Sequence, residues 1–279
     1  MDKINKNDLE NLKKMFEERE PFTTGFMDLD DFLSGIQPKD IITIGARPAV
    51  GKTMFATAIV NYLLKEKKKV CYFSLEGTKE QVYLSFLADL TKIDVHKLHR
   101  SLNNKIVQIP QINKAMEVLS SRELYIKNKT MLTIEEFEED VKTVKPDVVV
   151  IDYIQLLKMP KAPNLTEATN LAIHEVKRIA EENNVIVILI SQLSRAVEAR
   201  ESKIPMLSDL RNGSLLEELS DVILFVHRED YYNPDIEEEE RKRADIIIAK
   251  NKYGQVGSIT LNYENGLFSE RRTINVIDL

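Results

Sequence analysis

The feature that most constrains the fold is an apolar run followed at once by a Gly-Lys-Thr turn. Residues 41–45 (Ile-Ile-Thr-Ile-Gly) predict a buried strand, and Ala-Arg-Pro-Ala-Val-Gly-Lys-Thr follows at 46–53. In a strand–loop–helix unit of this kind the loop N–H groups cradle phosphates. Lys52 places a cation beside the β/γ oxygens, and Thr53 offers a hydroxyl to Mg²⁺. The positive end of the helix dipole adds to the attraction, so the chain is predicted to bind a nucleoside triphosphate.

The residues predicted to hold this nucleotide are consecutive and run from the end of the strand into the first turn of the helix. They are Ala46, Arg47, Pro48, Ala49, Val50, Gly51, Lys52, Thr53 and Met54. The pattern departs from the usual one at its first position, because Ala46 stands where a glycine is common and Gly45 lies one place early.

Apolar runs alternate with helical patterns along the rest of the chain. Strands are predicted at Ile41–Gly45, Val70–Ser74, Val148–Asp152, Val185–Ser191 and Val222–His227. Helices are predicted near Thr53–Glu66, Lys79–Leu90, Thr133–Thr143 and Thr166–Asn183, with extra helical material over Ile93–Ser121. A C-terminal antiparallel meander is predicted over Ala244–Lys250, Ser258–Asn262 and Leu267–Glu270. Continuous Val/Ile runs are typical of parallel strands buried on both faces, so we predict an α/β fold with a mostly parallel, doubly wound sheet and helices on both faces.

Length and charge narrow the class of protein. A chain of 279 residues can bury the core of one α/β domain with additions. The net charge of −6 argues against a globally basic nucleic-acid binder, although a local patch of positive charge is sufficient to attract phosphate. A single cysteine, Cys71, provides no disulfide framework, and no apolar run is long enough to span a bilayer. We therefore expect a cytoplasmic protein with no membrane partner.

The first twenty residues are predicted to form a linker-like helix ahead of one domain at 21–279. Asn7–Arg19 is amphipathic, because apolar side chains including Leu9, Leu12 and Phe16 share one face. Such a helix needs a partner surface, which its own domain or a neighbouring subunit could provide. Both alternatives remain open on the sequence.

Three polar residues are predicted at the ends of strands. Asp152 ends the run at 148–152 and is expected to reach the Mg²⁺ shared with Thr53, because ligands of parallel sheets bind at the carboxyl ends of the strands. Glu76 could polarise an attacking water if its strand neighbours the phosphate-loop strand, whereas a solvated glutamate is the alternative. Gln192 could bind the γ-phosphate and lose that contact after hydrolysis.

A long loop-like segment follows Gln192 and ends in residues suited to nucleic-acid phosphate. Arg211, Asn212, Gly213 and Ser214 offer a cation, an amide, a hydroxyl and flexible backbone N–H groups. Without further context, an ordinary turn explains these residues equally well.

Taken together, these residues resemble the ATPase domain of DnaB-type replicative helicases, within the RecA-like fold. The resemblance runs from about Pro21 to the C-terminus. It is carried by the segments 24–30, 34–38, 46–53, 74–76, 151–156, 191–195, 208–211, 227–232 and 248–254.

The resemblance implies a RecA-like P-loop ATPase with particular roles for the residues above. It implies that Lys52 and Thr53 bind ATP and Mg²⁺, that Glu76 is the catalytic base, and that Asp152 has the Walker B role. It further implies that Gln192 senses the γ-phosphate. The segment 211–214 would line the channel of a homo-hexamer and grip single-stranded DNA. The resemblance further implies that the hexamer moves 5′ to 3′ along this strand and unwinds forked duplex DNA. A helicase loader and a primase are its candidate partners.

The chain departs from the family pattern in three places. The family has Lys-x-Arg late in the chain, with the arginine reaching a neighbouring subunit's ATP, but here the triplet is Lys250, Asn251 and Lys252. A lysine lacks the planar fork of a guanidinium, and loss of such an arginine costs roughly 10³-fold or more in rate, so we expect slow or strongly stimulated hydrolysis. Asn212 and Gly213 stand where the family usually has an acidic and then a small residue. From the comparison with the family pattern we also expect that only the linker-like helix, and not the family's N-terminal helical domain, lies ahead of the core.

The function expected from the sequence is that of a replicative DNA helicase driven by ATP hydrolysis at subunit interfaces. Two alternatives remain. One is a RecA-like, DNA-dependent ATPase of recombination or repair that does not unwind duplexes, and the other is a nucleotide-gated regulator that assembles with a full-length helicase.

Overall fold

The computed structural model describes residues 5–7, 9–10, 13, 21–103, 110–158, 162–210 and 213–271. Within these ranges a nine-stranded sheet has the order β3-β2-β4-β5-β1-β6-β7-β8-β9. The strands are β1 Ile41–Ala46, β2 Val70–Ser74, β3 Leu124–Asn128, β4 Val148–Asp152, β5 Ile186–Gln192, β6 Val222–His227, β7 Arg243–Asn251, β8 Gly257–Glu264 and β9 Leu267–Ser269. The pairings among β1 to β6 are parallel, and those from β6 to β9 are antiparallel. The predictions of a doubly wound parallel sheet and a C-terminal meander are therefore confirmed.

The helices lie between the strands. They are α1 Met27–Leu33, α2 Lys52–Lys65, α3 Lys79–Thr91, α4 Val95–Asn103, α5 Pro110–Ser120, α6 Ile134–Val144, α7 Leu165–Asn183, α8 Gly213–Leu219, α9 Glu229–Tyr232 and α10 Glu238–Arg241. The four long helices predicted from periodicity are all present, with ends shifted by one residue. The extra helical segment is also present, as α4 and α5, which pack on α3 through Leu98 and Ile112.

Alternate residues of the central strands supply two separate cores, one on each face of the sheet. On one face Tyr72, Val150 and Ile188 pack with helices α2 and α3. On the other face the preceding residues of the same strands, such as Cys71, pack with α6 and α7. Successive side chains of a strand point to opposite faces, so a strand buried on both sides must be apolar at every position. This is the physical reason for the unbroken Val/Ile runs.

The edge strand β3, Leu124–Asn128, was not predicted. It pairs in parallel with β2 only, and its side chains are exposed or half-buried, with Tyr125 at 45% exposure. In this strand only Leu124 and Ile126, on one face, pack against the core, so it carries no continuous apolar run and the criterion that found the central strands does not detect it.

The predicted helix Asn7–Arg19 lies largely outside the described residues, and the proposed boundary after residue 20 stays a prediction. In the ranges that are described, the structure contains no helix with the length and apolar character needed to cross a bilayer.

Candidate active site

The phosphate loop occupies the carboxyl end of β1 and leads directly into α2. Gly51 has a φ of 120°, which favours glycine, and a Cβ there would also approach the Phe268 ring to 3.1 Å, a tighter contact than usual. Gly51 is the N-cap of α2 and offers no side chain to bind the first N–H groups of the helix. Those groups remain available to an anion, as the sequence predicted.

Asp152 lies at the end of β4 and accepts two hydrogen bonds. Thr53 donates its Oγ1 hydrogen to Asp152 Oδ2 at 3.1 Å, and the Tyr72 hydroxyl donates to the same oxygen at 2.8 Å. Burial raises the pKa of Asp152 above its ordinary value, while the contacts with Tyr72, the charge of Lys52 and the contact with Thr53 act in the opposite direction. The predicted pair of Thr53 and Asp152 is therefore brought together, and Tyr72 is an additional member that the apolar strand pattern concealed.

The donor atoms at this position fit Mg²⁺. One carboxylate and one hydroxyl provide hard oxygen ligands, and Mg²⁺ is commonly held by one or two protein oxygens together with substrate phosphates. The positive charge of a bound cation would also stabilise the buried carboxylate of Asp152, which is 8% exposed.

Glu76 faces the same space, although not for the reason expected from the sequence. The condition that its strand neighbours the phosphate-loop strand is wrong, because β4 and β5 lie between β2 and β1. Instead, β2 pairs with β4 so that Ser74 is opposite Asp152, which brings the two strand ends side by side. Glu76, Thr53 and Asp152 line one cavity of about 360 Å³.

The turn that carries Glu76 is fixed on both sides by hydrogen bonds. Ser74 Oγ donates to the Glu76 carbonyl at 2.9 Å, which holds the turn to the end of β2. On the other side, Thr78 and Gln81 form a capping box that starts α3. The exposed carboxylate of Glu76 therefore projects from a well-defined backbone.

Gln192 lies next to the phosphate loop. It is the last residue of β5 and is opposite Ala46 in the β1–β5 register. The following residue continues this contact, since Leu193 N donates to the Ala46 carbonyl at 3.1 Å. Parallel pairing at this edge thus brings Gln192 to the loop, where the sequence predicted it.

A second cavity of about 250 Å³ adjoins the loop and is lined by Gly51, Lys52, Thr53 and Tyr263 among others. The Arg228 guanidinium lies 3.8 Å from the centre of the Tyr263 ring and donates to the Val50 carbonyl at 3.3 Å. Arg228 was noticed only within the family resemblance, and Tyr263 was not singled out. The sequence carried no signal for this pair, because 35 residues separate them and only the meander brings them together.

The side chain of Arg47 turns away from both cavities. It is buried, and it contacts Glu198 and the Leu193 carbonyl. Among the residues of the predicted nucleotide loop, Arg47 therefore uses its side chain for contacts within the protein.

Lys250 and Lys252 lie at the amino ends of the parallel strands, whereas the phosphate loop lies at their carboxyl ends. Lys252 Nζ donates to Asp221 Oδ1 at 2.7 Å, and Asp221 also accepts from the N–H of Ile41, the first residue of β1. Lys250 Nζ donates to the carbonyls of residues 217 and 218 at 2.6 and 3.0 Å. The loop begins at the other end of β1, roughly 16 Å away at about 3.3 Å per residue. Neither lysine is brought to the phosphate loop of its own chain.

Of the four residues predicted to contact DNA, Arg211 and Asn212 lie outside the described residues. Gly213 begins α8, and Ser214 is exposed in its first turn.

Comparison with known proteins gives a consistent family. The model of the family described as DnaB-like helicase C terminal domain matches residues 22–269. The replicative DNA helicase DnaB of Haemophilus influenzae is 33% identical over 258 residues, which cover 88% of this chain and 54% of that protein. The replicative DNA helicase DnaC of Bacillus subtilis is 36% identical over 248 residues, covering 86% and 54% respectively. The chain thus spans about half the length of the curated relatives it matches.

Solved structures agree in fold. One solved ATPase domain superposes with a TM-score of 0.87 at 29% identity, covering 97% of this chain and 100% of that one. A DnaB-like replicative helicase, from a structure that describes its interactions with primase, has a TM-score of 0.85 at 29% identity and covers 97% and 68%.

Proposed function

This chain belongs to the family of DnaB-like helicase C-terminal domains, and from that membership we propose that it is the ATP-hydrolysing motor of a replicative DNA helicase. The motor would comprise residues 21–279, with residues 1–20 as a linker. It would convert hydrolysis into movement along single-stranded DNA and separation of a forked duplex.

The observation that carries this proposal is the convergence of Thr53, Asp152 and Glu76 on one cavity beside the phosphate loop. Each group has a distinct chemical task. The loop N–H groups and Lys52 would bind the triphosphate, while Thr53 and Asp152 would hold Mg²⁺, which neutralises charge on the β- and γ-phosphates. Glu76 would accept a proton from the attacking water, and Gln192 would contact the γ-phosphate.

The position of Lys250 and Lys252 supports assembly into a ring. Because they lie at the edge of the sheet opposite their own phosphate loop, they could contribute to hydrolysis only at the nucleotide of another copy. Repeated head-to-tail contacts of this kind close into a ring when the rotation permits, and we propose a homo-hexamer. Single-stranded DNA would then pass through the channel, with Arg211, Asn212, Gly213 and Ser214 of each copy as its contacts.

The proposed partners and cellular location follow from the proposed role in replication. A primase and a helicase loader are proposed partners, and one structural neighbour was described together with its interactions with primase. A cytoplasmic location is proposed on the same basis.

The proposal is tested with Lys52→Ala, assayed for ATP hydrolysis and for strand separation on a forked duplex. Removing the cation beside the phosphates is expected to lower turnover by about 10³-fold, since such groups act on transition-state charge. The matched control is Lys65→Ala, which alters an exposed lysine at the far end of the same helix and should retain the parent activity.

The parent protein's own behaviour decides between the candidate functions. Hydrolysis without strand separation would favour the recombination or repair ATPase. Nucleotide binding with negligible turnover, even with single-stranded DNA present, would favour the regulator. Equal activity of Lys52→Ala and the parent would contradict the nucleotide site itself.

A further inference from the structure

The segment 193–210 between Gln192 and the proposed DNA contacts is closed on itself. Leu193 and Leu210 form an antiparallel bridge, which brings the two ends of the segment together. Arg200 donates from both terminal nitrogens to the two carboxylate oxygens of Asp209, each at 2.8 Å. Asp209 is 2% exposed, so its carboxylate is shielded from water, while the Arg200 side chain is 29% exposed. Leu210, which precedes Arg211 in the chain, is therefore held beside Leu193, which follows Gln192.

The phosphate loop reaches this closed segment through Arg47. Arg47 Nη1 donates to the Leu193 carbonyl at 2.7 Å. Its Nε and Nη2 lie 2.8 and 2.7 Å from Glu198 Oε1. The backbone adds a parallel contact from Leu193 N to the Ala46 carbonyl. Leu193 is thus bonded to the phosphate loop on one side and to Leu210 on the other.

The chemistry of Arg47 suits a rigid connection. Its side chain is 7% exposed, whereas that of Glu198 is 42% exposed, so a buried cation is matched by a carboxylate at the surface. A buried charge that loses its partner is strongly unfavourable, and a guanidinium holds its donors in a fixed plane. Any shift of Glu198 or of the Leu193 carbonyl relative to the loop would therefore cost free energy unless Arg47 moved with them.

On the basis of the proposed function, we propose that Arg47 and Glu198 are a positioning pair that transmits nucleotide occupancy to the segment carrying the DNA contacts. Neither residue touches the reacting atoms. The pair makes the position of Leu193, and through it Leu210, depend on the position of the phosphate loop. Nucleotide and single-stranded DNA would then each alter the affinity of the other by the same factor, because coupling between two binding sites is reciprocal.

The test is Glu198→Gln, which keeps the size of the side chain and removes its charge. The readout is the ratio of the dissociation constants for a fluorescent oligothymidylate without and with a non-hydrolysable ATP analogue. Binding of a fluorescent ATP analogue and DNA-free hydrolysis are measured on the same preparations. Glu201→Gln is the matched control, because Glu201 is an exposed glutamate of the same segment.

We expect the coupling ratio to fall from about tenfold in the parent protein to near one in Glu198→Gln. Nucleotide affinity and DNA-free hydrolysis should stay within about twofold of the parent, because Glu198 lines neither cavity beside the phosphate loop and glutamine keeps an oxygen that can accept from Arg47. Glu198→Asp keeps a carboxylate and should retain more of the ratio than Glu198→Gln does. Glu201→Gln should match the parent in every measurement.

Three results would overturn the inference. The first is a parent-like ratio in Glu198→Gln, which leaves the proposed function intact. The second is an equal loss of nucleotide affinity, DNA affinity and thermal stability in Glu198→Gln, which would assign the pair a purely structural role. The third is a ratio of one in the parent protein itself, which would remove the proposed function and this inference together.

Discussion

The two ends of the parallel strands have contrasting chemistry; we call the end with the phosphate loop the carboxyl edge and the other end the amino edge. At the carboxyl edge, Thr53, Asp152 and Glu76 face open cavities, and the first N–H groups of α2 have no side-chain cap. At the amino edge, polar groups are paired within the chain: Asp221 accepts from Ile41 N–H, Lys177 and Lys252. Parallel strands and their helices direct the strand-to-helix loops and the helix N-termini to the carboxyl edge, so that edge is suited to ligands. The other edge is stabilised internally, and its lysines could serve a nucleotide only across a contact with another copy.

The largest expected effect concerns Glu76 at the carboxyl edge. Glu76→Gln keeps the size of the side chain but removes the base, so ATP turnover should fall by about 10³-fold while nucleotide affinity is retained. Single-turnover hydrolysis and binding of a fluorescent ATP analogue measure the two quantities separately. Glu80→Gln, in the first turn of α3, is the control and should leave both unchanged. A parent-like turnover in Glu76→Gln would remove Glu76 from catalysis.

A substitution at the amino edge is expected to change the free energy of unfolding of the protein. Burial raises the pKa of Asp221, but the hydrogen bonds from Lys252, Ile41 N–H and Lys177 lower it by more, so its pKa lies below the ordinary value. Asp221→Asn removes the buried carboxylate that accepts from both lysines and should reduce the free energy of unfolding by about 2 kcal/mol, as for lost hydrogen bonds to a charged group, because Lys252 is itself 58% exposed and is not left as a buried charge. Urea unfolding measures the loss, with the exposed Asp235→Asn as a control.

The same carboxylate should make stability depend on pH. A group whose pKa is lowered by folding stabilises the protein above its unfolded pKa of about 3.9 and loses this contribution as the pH falls through the folded value. The parent protein should therefore lose stability below about pH 4 more steeply than Asp221→Asn does. Identical slopes for the two proteins would contradict the role given to Asp221.

The smallest expected effect concerns Lys252, a residue of the amino edge that we propose acts on the nucleotide at the carboxyl edge of a neighbouring copy. Lys252→Arg restores a planar fork and should raise ATP turnover of the assembled protein by about tenfold, a part of what arginine fingers contribute. The increase should disappear on dilution below the concentration at which the oligomer forms, because the residue acts on a neighbouring copy. Lys242→Arg, at a partly exposed lysine that pairs with Glu238, is the control. No increase in the assembled protein would exclude Lys252 from the neighbouring site.

The fold and much of the candidate site could be predicted from the sequence where the signal is local. Unbroken Val/Ile runs identify the central strands, and the loop before Lys52 has a characteristic composition. The strand Leu124–Asn128 escaped because an edge strand lacks an apolar run. The neighbours of β2 were misjudged because strand order is decided by crossovers between distant segments.

The amino-acid sequence by itself determined the α/β class, the phosphate loop and the strand-end position of Asp152, because each depends on residues adjacent in the chain. Only the tertiary structure decided that Tyr72 bonds Asp152, that Arg228 lies over Tyr263, that Arg47 pairs with Glu198 and that Lys252 is held by Asp221. The physical reason is that these contacts join residues far apart in the chain, and their geometry is set by the packing of a complete sheet.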